Sequence, residues 1–216
     1  NEKKDILIIG DSHSEDLVNA VFEAGINSDM EFSSFYIPFK CGVLFVSDKI
    51  DRESPKFNCR RDKFSFFNND LQIQMSLADE VWIISNWRRK DIIYMAKSLE
   101  NIKAINNNIK IFGTKTFESQ SPKWYDTVDI DDWSSEIFDD SEAEKHAIKS
   151  KINDDLRNIA ESLSVEFVNT QHLLCGGKDF CSNYVDGNII SHDGEHLTKH
   201  GAKILGVSLK NSLHKK

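Results

Sequence analysis

The chain is 216 residues long and carries 27 Lys and Arg against 35 Asp and Glu, a formal net charge of -8. That balance lacks the basic footprint that phosphate binding needs, so nucleic acid is not an expected partner. No apolar run approaches the ~20 residues needed to span a bilayer, and Asn1-Glu2-Lys3-Lys4 leads directly into an apolar strand, so no signal peptide is expected within this sequence. If the protein is exported, this chain is a mature or excised piece. Its length suffices to bury a full core as one α/β unit. No internal repeat and no Pro- or Ser-rich linker divides it, so a single domain over residues 1–216 is expected.

The first predicted strand, residues 6–9, is the apolar run Ile6-Leu7-Ile8-Ile9, of the kind buried on both faces of a parallel sheet. It breaks at Gly10 into Asp11-Ser12-His13-Ser14. Leu17, Val18, Val21 and Phe22 then recur at helical spacing and predict a helix over 15–24. A small hydroxyl residue therefore stands where a central strand gives way to a helix. Ligands bind at that edge of open α/β sheets, and the free N–H groups of a helix start hold anions. Ser12 can equally serve as a helix cap, as Ser, Asp and Asn do routinely.

Further strands are predicted over 32–37, 81–85, 109–112 and 165–168, and further helices over 70–77, 90–101, 142–163 and 199–213. Lys40-Cys41-Gly42-Val43 follows the second strand. Asn86 and Trp87 end the third, just before the cationic run Arg88-Arg89-Lys90. Residues 126–144 are rich in carboxylates, with Trp124, Tyr125, Trp133 and Phe138 interleaved. Such a stretch is either a solvated loop whose aromatics pack on the body or a lid offering stacking faces to sugars. Short apolar strands alternating with helices imply an α/β fold, a three-layer αβα sandwich around a five-stranded parallel sheet.

Near the other end the chain reads Ser191-His192-Asp193-Gly194-Glu195-His196-Leu197-Thr198. Asp193 and His196 lie three apart, so one turn of chain sets the carboxylate against an imidazole N–H. That contact fixes the tautomer whose other nitrogen accepts a proton from a serine. His13, directly after Ser12, is the rival base, but no carboxylate stands at a fixed spacing from it. His192, Asp193, Glu195, His196 and His200 are close enough to suggest a metal site. However, His196 and His200 lack the Glu placement of a His-Glu-x-x-His zinc motif, and no metal is expected. Cys175 and Cys181 bracket a short glycine-containing segment, and Cys41 and Cys59 flank a longer one. Neither pair has the short spacing of a zinc site. Four cysteines allow three disulfide pairings, or four reduced thiols in a cytosolic protein.

On Gly10-Asp11-Ser12-His13-Ser14 and Asp193-Gly194-Glu195-His196-Leu197-Thr198 the chain resembles the SGNH hydrolase superfamily. That superfamily carries its nucleophile in a Gly-Asp-Ser block and its acid and base in an Asp-x-x-His block. With Cys41, Cys59, Trp87, Cys175 and Cys181, Asp186-Gly187 and Gly201-Ala202, it is similar to a narrower group. These are the SGNH domains fused behind the membrane acyltransferase-3 domain of bacterial polysaccharide O-acetyltransferases. The resemblance implies an SGNH, flavodoxin-like sandwich with Ser12, Asp193 and His196 as catalytic residues and no cofactor. It also implies disulfides 41–59 and 175–181, and a periplasmic location tethered to the bacterial inner membrane.

The expected oxyanion hole is the Ser12 N–H with Gly42 and Asn86. The family's Gly-x-Asn-Asp block is missing, and Asn86 in Ile84-Ser85-Asn86-Trp87 is its best positional match. Gly42 and Asn86 can also be read as plain turn and strand-end residues. Asp11, His13, Trp87 and Arg88 are weaker candidates for substrate contacts. The implied activity is O-acetylation of a surface polysaccharide such as a lipopolysaccharide O-antigen, through an acyl-serine. The acceptor would be a polysaccharide or lipid-linked glycan, with the membrane acyltransferase-3 domain relaying the acyl group. A stand-alone carbohydrate acetyl esterase would use the same triad, and a non-catalytic glycan-binding domain is a further alternative.

Overall fold

The structure, a computed structural model, describes residues 3–46, 63–118, 142–178 and 180–214, without the side chains of 142 and 143. Cys59 and the aromatic residues Trp124, Tyr125, Trp133 and Phe138 lie outside the described residues. In chain order the main elements are β1 (Lys4–Gly10), α1 (Ser12–Glu23), β2 (Met30–Tyr36), α2 (Asn69–Leu77), β3 (Glu80–Ile84), α3 (Arg89–Lys103) and β4 (Ile109–Phe112). Then come α4 (Glu142–Ser162), β5 (Glu166–Val168), α5 (Thr170–Cys175), β6 (Tyr184–Val185), β7 (Asn188–Ile189) and α6 (Lys199–Leu213).

Strands β1 to β5 form one parallel sheet in the order β2-β1-β3-β4-β5. Ile6, Ile8, Trp82, Ile84 and Phe112 face one way and pack with Leu17 and Val21 of α1 and Leu209 of α6. Leu7, Ile9, Val81, Ile83, Ile109 and Ile111 face the other way, onto Leu71, Met75, Met95, Leu99, Ile152 and Leu156 of α2, α3 and α4. The apolar strands are thus buried on both faces, and the predicted three-layer sandwich with its five parallel strands is the observed fold. At the amino edge the buried Glu80 accepts the indole N–H of Trp82 and pairs with Lys110 at 2.7 Å and with Lys4, joining β1, β3 and β4.

Three of these main elements were not predicted. Helix α5 has only six residues, too few for a helical period to show, and is started by the Asn169 side chain accepting the His172 N–H at 3.0 Å. Strands β6 and β7 are two residues each around the Asp186-Gly187 turn. Cys175, closing α5, is bridged to Cys181 at a Cα separation of 5.3 Å, as expected from the family resemblance. Cys41 is also disulfide-bonded.

The strand order reverses beside β1, and in such sheets ligands bind in the crevice at the carboxyl ends of the two strands flanking the switch, here β1 and β3. The helices that follow β1 and end the chain lie side by side across that face. Gly206 of α6 meets the backbone of α1 directly: a Cβ there would fall 2.0 Å from the Ala20 carbonyl oxygen and 2.8 Å from Ala24 Cβ. Gly206→Ala must push the two helices apart and is expected to destabilise the fold by about 1–3 kcal/mol. Urea unfolding checks this as a lowered midpoint at constant slope. An unshifted midpoint would contradict the close contact.

Candidate active site

The site is assembled at the carboxyl ends of β1 and β3. Asp11 is fully buried and caps α1, its Oδ1 accepting the His13 N–H at 3.0 Å. Its Oδ2 accepts the Ser85 hydroxyl at 2.6 Å and the Asn86 N–H at 3.0 Å. One carboxylate thus fastens the start of α1 to the end of β3. The cap is Asp11, which leaves Ser12 as the first helical residue, its N–H without an acceptor inside the helix. Gly10 permits this junction, since a Cβ there would lie 2.1 Å from the Ile84 carbonyl oxygen.

The opposite wall is the loop between β7 and α6. Ser191 and Leu197 pair in an isolated antiparallel bridge, and the Gly194 N–H donates to Ser191 Oγ at 3.0 Å, so the intervening residues form a closed turn. Within it Asp193 Oδ1 accepts the N–H groups of Glu195 at 2.9 Å and His196 at 2.7 Å. Asp193 Oδ2 accepts the His196 Nδ1–H at 2.6 Å, and His196 Nε2 stands 2.9 Å from Ser12 Oγ. With its proton on Nδ1, His196 presents a lone pair at Nε2, and the Ser12 hydroxyl donates to it. The structure therefore brings together the three residues that the sequence expected to act together.

Electrostatics reinforce that arrangement. Burial works against ionisation of Asp193, but the hydrogen bonds from the His196 ring and from the His196 and Glu195 backbones outweigh it and hold the carboxyl well below its usual range. The hydrogen bond to Asp193, opposed by partial burial, raises the His196 pKa above its ordinary value.

A second, basic group of side chains lies alongside, and sequence reasoning missed most of it. Asp16, one turn into α1, accepts the Leu197 N–H at 3.0 Å with Oδ1 and the Lys115 ammonium at 2.8 Å with Oδ2. Lys115 also donates to His13 Nδ1 at 2.8 Å, and all three side chains are buried. Lys149 of α4 donates to Asn86 Oδ1. Burial pushes Lys149 down to about 8, with Lys115 adding to the effect and Glu195, Asp11 and Asp91 opposing it. His13, Asn86, Lys115, Lys149 and Glu195 help to wall a cavity of about 100 Å³. Lys115 just past β4 occupied the strand-end position that flags a site residue, whereas Lys149 reads in sequence as one more surface lysine of an amphipathic helix.

The other expected site residues sit differently. Trp87 is 1% exposed, donates its indole N–H to the Phe112 carbonyl at 2.8 Å and packs in the core, so it offers no face to a substrate. Arg88 is held by Asp91 through Nε at 2.9 Å and Nη2 at 2.8 Å and lies over the Phe39 ring. Its role is to start α3. Asp11 is structural, reaching the site through its hydrogen bonds. The Gly42 N–H, expected as an oxyanion donor, closes a turn onto the Phe39 carbonyl at 3.2 Å.

The two histidines should titrate differently. By NMR, His196 is expected to have a midpoint above the ordinary value of about 6.5, falling in Asp193→Asn, where the stabilising carboxylate is lost. His13, which burial and the nearby Lys115, Lys149 and His196 push well below the usual range, should stay neutral throughout. A His196 midpoint unchanged by Asp193→Asn would contradict the pairing.

Comparison with known proteins places this chain in a family. The chain matches the family described as SGNH domain (fused to AT3 domains) over residues 1–210. The periplasmic domain of a lipopolysaccharide acetyltransferase from Salmonella ser. Paratyphi A is similar in structure, with a TM-score of 0.67 and 20% identity over 99% of this chain and 85% of that one. A GDSL-like lipase fold from Parabacteroides merdae gives a TM-score of 0.60 at 12% identity, covering 100% and 99% of the two chains. Est24, a carbohydrate acetylesterase from Sinorhizobium meliloti, gives 0.52 at 11% identity, covering 99% of each chain. Comparison with curated proteins by sequence finds no match. On the match that spans nearly its whole length, the chain belongs to the SGNH domains found fused to AT3 domains.

Proposed function

We propose that this chain is an O-acyltransferase domain that carries an acetyl group on Ser12 and passes it to a sugar hydroxyl of a bacterial surface glycan. The observation that carries this reading is the chain of hydrogen bonds from Asp193 through His196 to Ser12, at 2.6 and 2.9 Å. Ser12 Oγ attacks the acetyl carbonyl as His196 Nε2 takes the hydroxyl proton, and Asp193 holds the imidazole and stabilises its cation. The carbonyl oxygen becomes an oxyanion. Collapse expels the donor's alcohol or other leaving group, which receives the proton from His196. An acceptor hydroxyl then gives its proton to His196 and attacks acetyl-Ser12; His196 returns that proton to the departing Ser12 Oγ, which regenerates the serine and leaves the sugar acetylated.

The oxyanion needs donors. The Ser12 N–H, which has no acceptor inside α1, is one. Asn86 is the second: its Oδ1 accepts from the Lys149 ammonium, which can only donate, so its NH₂ group is turned away from the lysine. Gly42 is the third expected donor, provided its N–H releases the Phe39 carbonyl.

Family membership supports an AT3 membrane domain as the acyl relay, on the same full-length protein, and hence a periplasmic location at the inner membrane with this chain as its single SGNH domain. The lipopolysaccharide acetyltransferase neighbour supports a glycan acceptor. A second reading, hydrolysis by a carbohydrate acetyl esterase, is favoured by the exposure of the His196 and Asp193 side chains, 42% and 53%, which leaves the triad open to water.

Acetyl-ester cleavage by the purified domain, with and without oligosaccharide acceptors, separates the two. Acetylated oligosaccharide that disappears in Ser12→Ala supports transfer, and acetate alone supports the esterase. In either case kcat/KM should rise with pH as His196 loses its proton, with a midpoint above about 6.5. It should fall again near 8 as Lys149 loses its own. Lys149→Met should be slower and lack the alkaline limb, and Asn86→Ala should lose roughly 10²–10³ in kcat. An alkaline limb unchanged in Lys149→Met would contradict the assignment of that limb to Lys149.

A further inference from the structure

Next to the nucleophile stands a histidine that the triad does not use. His13 is 3% exposed, and its ring centroid lies 5.4 Å from that of His196. Its Nδ1 contacts the Lys115 ammonium at 2.8 Å, and that ammonium is fixed in turn by the Asp16 carboxylate at 2.8 Å. An ammonium has donors only, so Nδ1 must accept, and the single proton of the neutral ring must sit on Nε2. The ring stays neutral because it is buried among Lys115, Lys149 and His196. His13 Nε2 is thus an N–H donor, buried and without a partner among the described residues. Leaving such a group unmade costs stability, so an orphan of this kind calls for an explanation. The ring belongs to the wall of the cavity shared with Asn86 and Lys149.

This tautomer also settles why His13 is not the base. The nitrogen that could accept a proton is occupied by Lys115, while the other nitrogen already carries one. His196 has the opposite arrangement, with Nδ1–H given to Asp193 and a lone pair turned to Ser12. Two histidines with ring centroids 5.4 Å apart are therefore set as acceptor and donor by a carboxylate and an ammonium respectively.

We propose that His13 is a further catalytic residue, whose neutral Nε2–H donates a hydrogen bond to the oxyanion formed on the acyl carbonyl at Ser12. This rests on the acyl-serine reading above. No proton is transferred by His13: the serine proton goes to His196, the carbonyl carbon–oxygen double bond becomes a single bond to a negatively charged oxygen, and His13 stabilises that charge. Such a donor adds to the Ser12 N–H and the Asn86 amide named above. Lys115 and Asp16 are positioning residues that hold the tautomer.

The test is NMR of protein labelled with ¹⁵N in its histidines, free and after reaction of Ser12 with an alkyl fluorophosphonate, together with kinetics of His13 variants. The proposal expects His13 protonated on Nε2 alone in the free protein, and a downfield shift of that proton when the phosphonyl oxygen occupies the oxyanion position. His13→Leu should lose roughly 10²–10³ in kcat with little change in KM. His13→Gln, which returns an N–H to a similar reach, should recover part of it. A His13 proton on Nδ1, or an adduct that leaves the Nε2–H unmoved, would overturn the proposal, as would a folded His13→Leu within about threefold of wild type against the expected loss. Should His13→Leu fail to fold, the adduct spectrum of the wild type decides. No reaction of wild-type Ser12 with the probe would overturn the acyl-serine reading itself, and this donor role with it.

Discussion

Everything at the site depends on how closely α1 and α6 approach. Ser12 and His196 are 184 positions apart, yet each stands at the entrance to one of these two helices, so the distance between Oγ and Nε2 is set by the helix pair. Gly206 lets the backbones touch, and Asp16 then ties the two entrances together by accepting the Leu197 N–H at 3.0 Å. The sheet contributes the rest. Because strand order reverses at β1, the ends of β1 and β3 lie side by side, and Asp11 can bridge them with one buried carboxylate. Geometry of this kind resides in the scaffold, with the reactive side chains as its last links.

Charge is distributed unevenly across that frame. The carboxylate of Asp193 lies on the half-exposed loop side, where it favours a protonated His196. The cations Lys115 and Lys149 lie on the buried side, where burial strengthens every interaction they make. Lys115 is matched by Asp16, whereas the hydrogen-bond partner of Lys149 is the uncharged amide of Asn86. A cation that gives its hydrogen bond to an amide is suited to negative charge that develops during a reaction. The overall acidity of the chain conceals this, since net charge says nothing about one cavity wall.

Much of this was legible in the sequence. Ile6-Leu7-Ile8-Ile9 ending in Gly10-Asp11-Ser12 marked both a central strand and its functional end, because burial on two faces leaves an unbroken apolar run. The Asp193 to His196 spacing was readable because the contact lies within one turn of chain. What escaped was either long-range or too short. The Lys115 to His13 contact spans 102 positions and joins the ends of β1 and β4, two strands apart in the sheet, and no local pattern encodes it. Lys149 looks like a solvated helix lysine until the fold packs α4 over Asn86. Trp87 and Arg88, weaker candidates for substrate contacts because they follow a strand end, lie elsewhere: one fills the core and the other opens α3. Helix α5 and the β6–β7 hairpin are shorter than the periods by which helices and strands are recognised.

The central claim is that Ser12 is a nucleophile activated by His196. Intact-mass analysis of the purified protein after treatment with a fluorophosphonate, beside Ser12→Ala and His196→Ala, tests it most directly. The account predicts one adduct per wild-type chain, mapped to Ser12, and none in either variant. A folded wild-type protein that takes up no probe, or labelling that survives loss of His196, would contradict it.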